Sequence, residues 1–155
     1  AFNEINKNIS HIKLLILGEG EEKNKLENLL KKLNLQKKVY LLGYKTNVFN
    51  YIHKAKCFIS SSLYEDPGFV IIEAAFLNKV VFATDSNTGP SEILKNSTRG
   101  FLFKNNDHKD LVKKFTEYFN SSEQEINLKI INLKKYSKKF TIFEHYKNLR
   151  NLLVI

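Results

Sequence analysis

The sequence is poor in several things at once. It has one cysteine, two prolines and six glycines, with no methionine and no tryptophan in 155 residues. A single cysteine, Cys57, excludes an internal disulfide and leaves nothing that calls for an oxidising compartment. It stands in the apolar run Cys57-Phe58-Ile59 and is expected as a small buried hydrophobe. No stretch approaches the roughly 20 apolar residues of a membrane span. The opening Ala1-Phe2-Asn3 has no starting Met and reads as mid-helix sequence rather than as a signal peptide, which sets the expectation of a segment cut from a longer protein. The four histidines, His11, His53, His108 and His145, lie far apart and lack metal-ligand spacing, so no metal site is expected. No Walker lysine pattern occurs, and Ser60-Ser61-Ser62 lacks the glycine-flanked nucleophile elbow.

What is present is the composition of a globular α/β domain. Apolar residues make up 43% and charged residues 26%, enough for one domain with a real core. The formal charge is +9, carried by lysines with only two arginines, Arg99 and Arg150. The lysine pairs Lys31-Lys32, Lys37-Lys38, Lys113-Lys114 and Lys138-Lys139 fall on helix-like segments and read as solvated faces. No nucleic-acid partner is expected. Contact of a basic face with the inner surface of the cytoplasmic membrane is the one membrane relationship the charge leaves open, for an otherwise cytoplasmic protein.

Short apolar runs alternate with amphipathic ones. The runs at 12–17, 39–42, 57–60, 80–83 and 101–103 read as strands. They are continuously apolar rather than alternating, which marks parallel strands covered on both faces. Between them lie helical patterns with Leu26, Leu29, Leu30 and Leu33 at helical spacing, then 48–55, the very apolar 70–77 and the brief 91–94. The 70–77 helix is too apolar for the surface and is expected to be central. After residue 107 only helices are expected, with apolar stripes at Leu111, Val112, Phe115, Tyr118 and Phe119, at Ile126, Ile130 and Leu133, and at Ile142, Tyr146, Leu149 and Leu153. The fold class is therefore α/β, a doubly wound parallel sheet with C-terminal helices, in one domain over 1–155.

Ligands of such sheets bind beyond the carboxyl ends of the strands. The segments there are Gly18-Glu19-Gly20, Gly43-Tyr44-Lys45, 61–68, 84–90 and 104–107. Gly18-x-Gly20 is a tight strand-to-helix turn without the third glycine of the dinucleotide fingerprint, since Lys23 stands there. More telling is 61–76, SSLYEDPGFVIIEAAF, where Glu65 precedes a Pro67-Gly68 break and Glu73 interrupts an apolar helix. The first amides of a helix have no internal partner and accept phosphate readily. Ionised carboxylates are strong acceptors for sugar hydroxyls. Phosphate donors flanked by two such acceptors suit a sugar nucleotide. The same spacing also fits two glutamates that merely complement the helix dipole.

Glu65 to Glu73, EDPGFVIIE, resembles the E-x7-E motif of retaining, nucleotide-sugar-dependent glycosyltransferases of the GT-B fold, family 4. The surroundings are similar in order over about residues 9–120: Ile16-Leu17-Gly18-Glu19-Gly20, Val39-Tyr40-Leu41-Leu42-Gly43-Tyr44, the strand leading to the motif over 55–62, Val80-Val81-Phe82-Ala83-Thr84-Asp85, Gly89-Pro90-Ser91-Glu92-Ile93 and Gly100-Phe101-Leu102-Phe103. The resemblance implies the C-terminal, donor-binding half of a two-domain enzyme, with the N-terminal acceptor domain outside this chain. It implies that Glu73 binds the ribose hydroxyls and that Glu65 faces the transferred sugar as the catalytic-site carboxylate. The amides of Gly68, Phe69 and Val70 would hold sugar and diphosphate. Tyr44 and Lys45 would lie near the base, and Gly18, Gly20 and Gly89 would line the donor site. It implies no cofactor and no metal, with a nucleoside diphosphate sugar as substrate, UDP-sugar favoured. The parent enzyme would transfer a hexose or N-acetylhexosamine to a glycan or lipid-linked acceptor in bacterial surface polysaccharide synthesis, and the isolated segment would transfer nothing. The helix over 141–155 would pack back toward the other half.

Two departures stand out. Asp66-Pro67-Gly68 replaces the family's usual Gly-Phe-Gly, and the proline removes one amide donor. This variant accompanies a loop like Asn87-Thr88-Gly89-Pro90 in members that build surface polysaccharides. The family's basic pair for the diphosphate would by position precede Ala1. Two rivals remain: an epimerase-type half of the same fold, which lacks this E-x7-E context, and a non-catalytic module of the response-regulator kind, which needs an aspartate pair where this chain has Gly18-Glu19-Gly20.

Overall fold

The computed structural model describes residues 1–86 and 88–153. The elements run α1 (Phe2–Asn8), β1 (Leu14–Leu17), α2 (Lys23–Lys32), β2 (Val39–Gly43), α3 (Val48–Lys54), β3 (Cys57–Ser60), α4 (Phe69–Phe76), β4 (Val80–Asp85), α5 (Gly89–Leu94), β5 (Phe101–Lys104), α6 (His108–Asn120), α7 (Glu123–Ser137), a 3-10 turn (Lys138–Phe140) and α8 (Ile142–Leu153). All strand pairings are parallel, and strand and helix alternate until only helices follow β5. This is the α/β class with C-terminal helices that the apolar runs predict. The first strand is shorter than the run at 12–17, because pairing begins at Leu14 opposite Val39.

The chain divides into two compact units, Ala1–Val48 and Phe49–Ile155. In the first, β1 pairs with β2, and the register shifts between Ile16 and Leu17 so that Leu17 stands opposite Gly43. Its core is small: Ile5, Leu35 and Val39 are buried. Leu15 on β1 remains 42% exposed, so the double coverage expected of a continuous apolar strand is not met there. Two strands and two short helices have too little surface to wrap a strand on both faces.

In the second unit β4 lies between β3 and β5. Val81, Phe82 and Ala83 of this central strand are fully buried. The Phe82 ring stacks on Phe101 at 4.8 Å and on Phe115 of α6 at 4.2 Å, with Tyr118 edge-on at 5.7 Å. Such pairs add to the burial of large rings. On α4, Ile71, Ile72, Ala74 and Ala75 are buried, and α7 packs against α4 and α5 with Leu133 inserted. The expected stripes of α6 and α7 thus reach the core through Phe115 and Leu133. The stripe of α8 does not: Ile142, Tyr146, Leu149 and Leu153 are all exposed, since no element among the described residues covers that face. The helix expected over 141–155 corresponds to α8, with 154 and 155 outside the described residues. Cys57 is half-buried, and burial pushes its thiol up to about 11, the behaviour of an inert residue.

Candidate functional site

In the first unit, the residues picked from the sequence gather at the ends of β1 and β2. Gly18 has φ +117° and Gly43 φ +67°, both in the left-handed range that favours glycine. The Gly18 amide donates to the Gly43 carbonyl at 2.9 Å, which carries the two strands one step beyond their ladder. The Glu19 carboxylate accepts from the Tyr44 amide at 3.4 Å. Gly18, Glu19, Gly20 and Gly43 line a cavity of about 220 Å³ together with Ile16, Leu26 and Leu41. Tyr44 is 69% exposed, with Lys45 next in sequence.

In the second unit, three loops that leave the carboxyl ends of β3, β4 and β5 are tied together. The Thr88 hydroxyl donates to the Glu65 carbonyl at 2.6 Å. Gly89 lies so close to Pro67 that an added β-carbon would fall 2.2 Å from the Pro67 carbonyl oxygen. The Asn105 amide side chain donates to the Leu63 carbonyl at 3.1 Å. The Asp66–Pro67 peptide is cis. Gly68 then takes φ +86° as the N-cap of α4, a conformation that glycine adopts without a steric penalty. Asn87, the first residue of the loop singled out in the sequence, lies outside the described residues.

This loop delivers α4 with its start uncovered. Among the described residues the amides of Gly68, Phe69 and Val70 donate to no acceptor, and the first inward bond runs from the Ile71 amide to the Gly68 carbonyl at 2.9 Å. Phe69 and Val70 are exposed. The Glu65 and Glu73 carboxylates have no hydrogen-bond or ion-pair partner among the described residues, and both side chains are half-buried. Glu73 sits in the second turn, beside the buried Ile72 and Ala74. A half-buried, unpaired carboxylate is costly to keep without a ligand or water. The arrangement can offer amide donors to an anion and two ionised acceptors to hydroxyl groups. Among the described residues no group of His, Cys, Asp and Glu is placed to hold a metal.

Residues 1–139 match the family described as Glycosyl transferases group 1. The chain belongs to this family. It is 31% identical over 148 residues, 90% of this chain, to the poly(ribitol-phosphate) alpha-N-acetylglucosaminyltransferase of Staphylococcus aureus, of which those residues span 29%. It is 48% identical over 94 residues, 61% of this chain, to an uncharacterised glycosyltransferase of Methanocaldococcus jannaschii, of which they span 23%. The chain therefore covers under a third of the length of these relatives. Its structure superposes on Staphylococcus aureus TarM, crystallised with fondaparinux, alpha-GlcNAc-glycerol and UDP, with TM-score 0.84 and 26% identity, covering 97% of this chain and 30% of that one. Anabaena HepE in complex with UDP-glucose gives TM-score 0.81 at 19% identity, covering 99% and 44%, which bears on the fold alone. The fold is that of one half of a GT-B glycosyltransferase.

The sequence pointed to Glu65, Gly68, Phe69, Val70, Glu73 and Gly89, which all belong to the second unit, and to Gly18, Gly20, Tyr44 and Lys45 in the first. It did not point to the clamp formed by Thr88 and Asn105. Thr88 was visible only as part of a loop string, and a hydroxyl bonded 23 residues back in the chain leaves no periodic signal.

Proposed function

We propose that this chain is the donor-binding half of a retaining glycosyltransferase and that it binds a UDP-sugar. The observation that carries this reading is the run of three amides at Gly68, Phe69 and Val70 that find no acceptor among the described residues, between two carboxylates without a described partner. The diphosphate and sugar accept from those amides, aided by the positive end of α4. Glu73 accepts from the ribose hydroxyls, and Glu65 faces the hexose or N-acetylhexosamine. Tyr44 and Lys45 serve the base end, with the Gly18 and Gly20 turn and Gly89 letting backbone approach the donor closely. In the parent enzyme the anomeric carbon–oxygen bond to the diphosphate breaks as the acceptor oxygen bonds on the same face. The acceptor's proton passes to the leaving phosphate, so that no protein nucleophile is needed. Relatives named for N-acetylglucosamine, N-acetylgalactosamine and galactose transfer, two of them onto undecaprenyl-diphosphate-linked sugars, support a glycan or lipid-linked acceptor in surface polysaccharide synthesis.

Calorimetric titration tests the reading. UDP binds, and GDP and ADP bind more weakly. Glu73→Gln leaves the fold intact and weakens UDP by roughly 10- to 150-fold, the worth of one or two hydrogen bonds to a charged group. Glu65→Gln spares UDP and loses the preference for UDP-sugar over UDP. Unchanged UDP affinity in Glu73→Gln, together with a large fall in Tm, would return Glu73 to a structural role at the helix start.

A further inference from the structure

A second cavity, of about 400 Å³, lies in the second unit between the segment that leaves α5 and the last turns of α7. It is lined by Lys95, Arg99, Lys135 and Lys139, with Thr98, Asn132 and Tyr136. Four cations therefore share one concavity, and no carboxylate lines it. None of the four forms an ion pair among the described residues. The carboxylate of Glu92 is engaged by the Tyr136 hydroxyl at 2.6 Å.

The cations are positioned rather than merely crowded. The Tyr136 ring carries the Arg99 guanidinium at 3.9 Å from its centroid and the Lys139 ammonium at 4.9 Å. Arg99 Nη1 donates to the Glu92 and Ile93 carbonyls at 3.3 and 3.1 Å, which fixes the guanidinium at the cavity wall. Lys95 enters from a backbone that stays left-handed for three residues, φ +42° at Lys95, +51° at Asn96 and +66° at Ser97. The Lys129 ammonium holds the Ser97 carbonyl and so pins this segment to α7. Gathering like charges costs Coulomb energy unless an anion joins them.

The same helix also offers apolar surface. Leu128 stands one turn before Asn132 and about two turns before Lys135, on the same face by helical spacing, and is 59% exposed. Ile131 beside it is 49% exposed, and Phe140 follows Lys139 with its ring partly open. Basic side chains around a concavity with ample room for a phosphate group, with apolar side chains alongside, are the chemistry of an interface with an anionic bilayer. A solvated lysine face accounts for the charge but not for Leu128 and Ile131. A soluble polyanion would likewise gain nothing from those two.

We propose that this cavity takes the phosphate of an anionic phospholipid headgroup and that Leu128 and Ile131 enter the adjoining acyl boundary, seating the second unit on a membrane surface. The inference stands apart from the donor site and survives if that reading fails. Vesicle titration of the 155-residue chain tests it. Vesicles of phosphatidylcholine alone do not bind it, whereas those with about a third phosphatidylglycerol do, less so as salt rises. The exposed pair Lys135→Glu and Lys139→Glu weakens attachment by about 25-fold or more, while the charge-matched pair Lys31→Glu and Lys32→Glu on α2 costs no more than about 3-fold. Leu128→Asp weakens it with the cation cluster intact. Circular dichroism and Tm confirm that each variant is folded. Equal losses in the two lysine pairs would reduce the effect to net charge and overturn the proposal. Saturable binding of inorganic phosphate without attachment to either vesicle, or of a soluble phosphodiester polymer in preference to vesicles, would overturn the lipid assignment too.

Discussion

The two units are written in the same grammar of apolar strand, turn and amphipathic helix, yet they are held together very differently. In the second, Phe82, Ile71, Ile93, Leu94 and Leu133 are essentially removed from solvent. In the first, Leu15 and Leu29 are 42% and 48% exposed, and no residue of α2 is buried. Burial of apolar area is the main favourable term in folding. The β1–β2 unit is therefore the place where the chain opens first, and the β3–β4–β5 unit sets the global stability. The α4 start, with its carboxylates and amides, rests on the well-packed unit, where geometry is fixed by long-range contacts. The Gly18–Gly43 corner rests on the unit that yields more easily.

That contrast can be broken by mutation. The largest effect is expected from Phe82→Ala, which empties a site between two stacked rings. It should cost about 3–5 kcal/mol and abolish protection across the second unit in hydrogen exchange. Leu15→Ala, on the same kind of strand, should cost about 1 kcal/mol. Comparable losses would mean that the two units have equally dense cores. Next comes Gly89→Ala. Its β-carbon meets the Pro67 carbonyl at 2.2 Å and must push apart the two loops that frame Gly68, at about 1–3 kcal/mol, with loss of nucleotide binding. Gly20→Ala has nothing within 4 Å and should stay within about 0.5 kcal/mol. If Gly89→Ala keeps full UDP affinity, the loop clamp is not part of the donor site.

The smallest effect concerns helix starts. Ser122 caps α7 in a reciprocal box with Glu125, whereas Glu22 before α2 makes no side-chain cap bond. The amide and hydroxyl of Ser122 hold the Glu125 carboxyl below its usual range. A carboxylate with a lowered folded pKa adds stability that is present above its unfolded pKa and is lost as pH falls through the folded value. Ser122→Ala should therefore lower Tm modestly at neutral pH and converge with wild type in acid, while Glu22→Ala should change little at any pH. Parallel Tm curves against pH for the two variants would remove this distinction.

Much of this was legible in the chain itself. Continuous apolar runs announced parallel strands, and each of the five expected strands forms within two residues of its expected ends. Pro67-Gly68 announced the start of the apolar helix that carries Glu73. These are local facts, set by the two periodicities of side-chain direction and by what proline and glycine do to backbone angles. What the sequence could not state was which runs would be covered. The stripes of α7 and α8 read alike, yet Leu133 is buried and Ile142 is 87% exposed, because α7 packs on α4 and α5. Nor could it state that Thr88 would clasp the Glu65 carbonyl, that Gly89 would lie against Pro67, or that Lys95 and Arg99 would share a cavity with Lys135 and Lys139. Those pairings join residues some 20 to 40 positions apart, and only packing decides them. A periodic pattern fixes which face a residue takes, but the partner of that face is chosen by the rest of the fold.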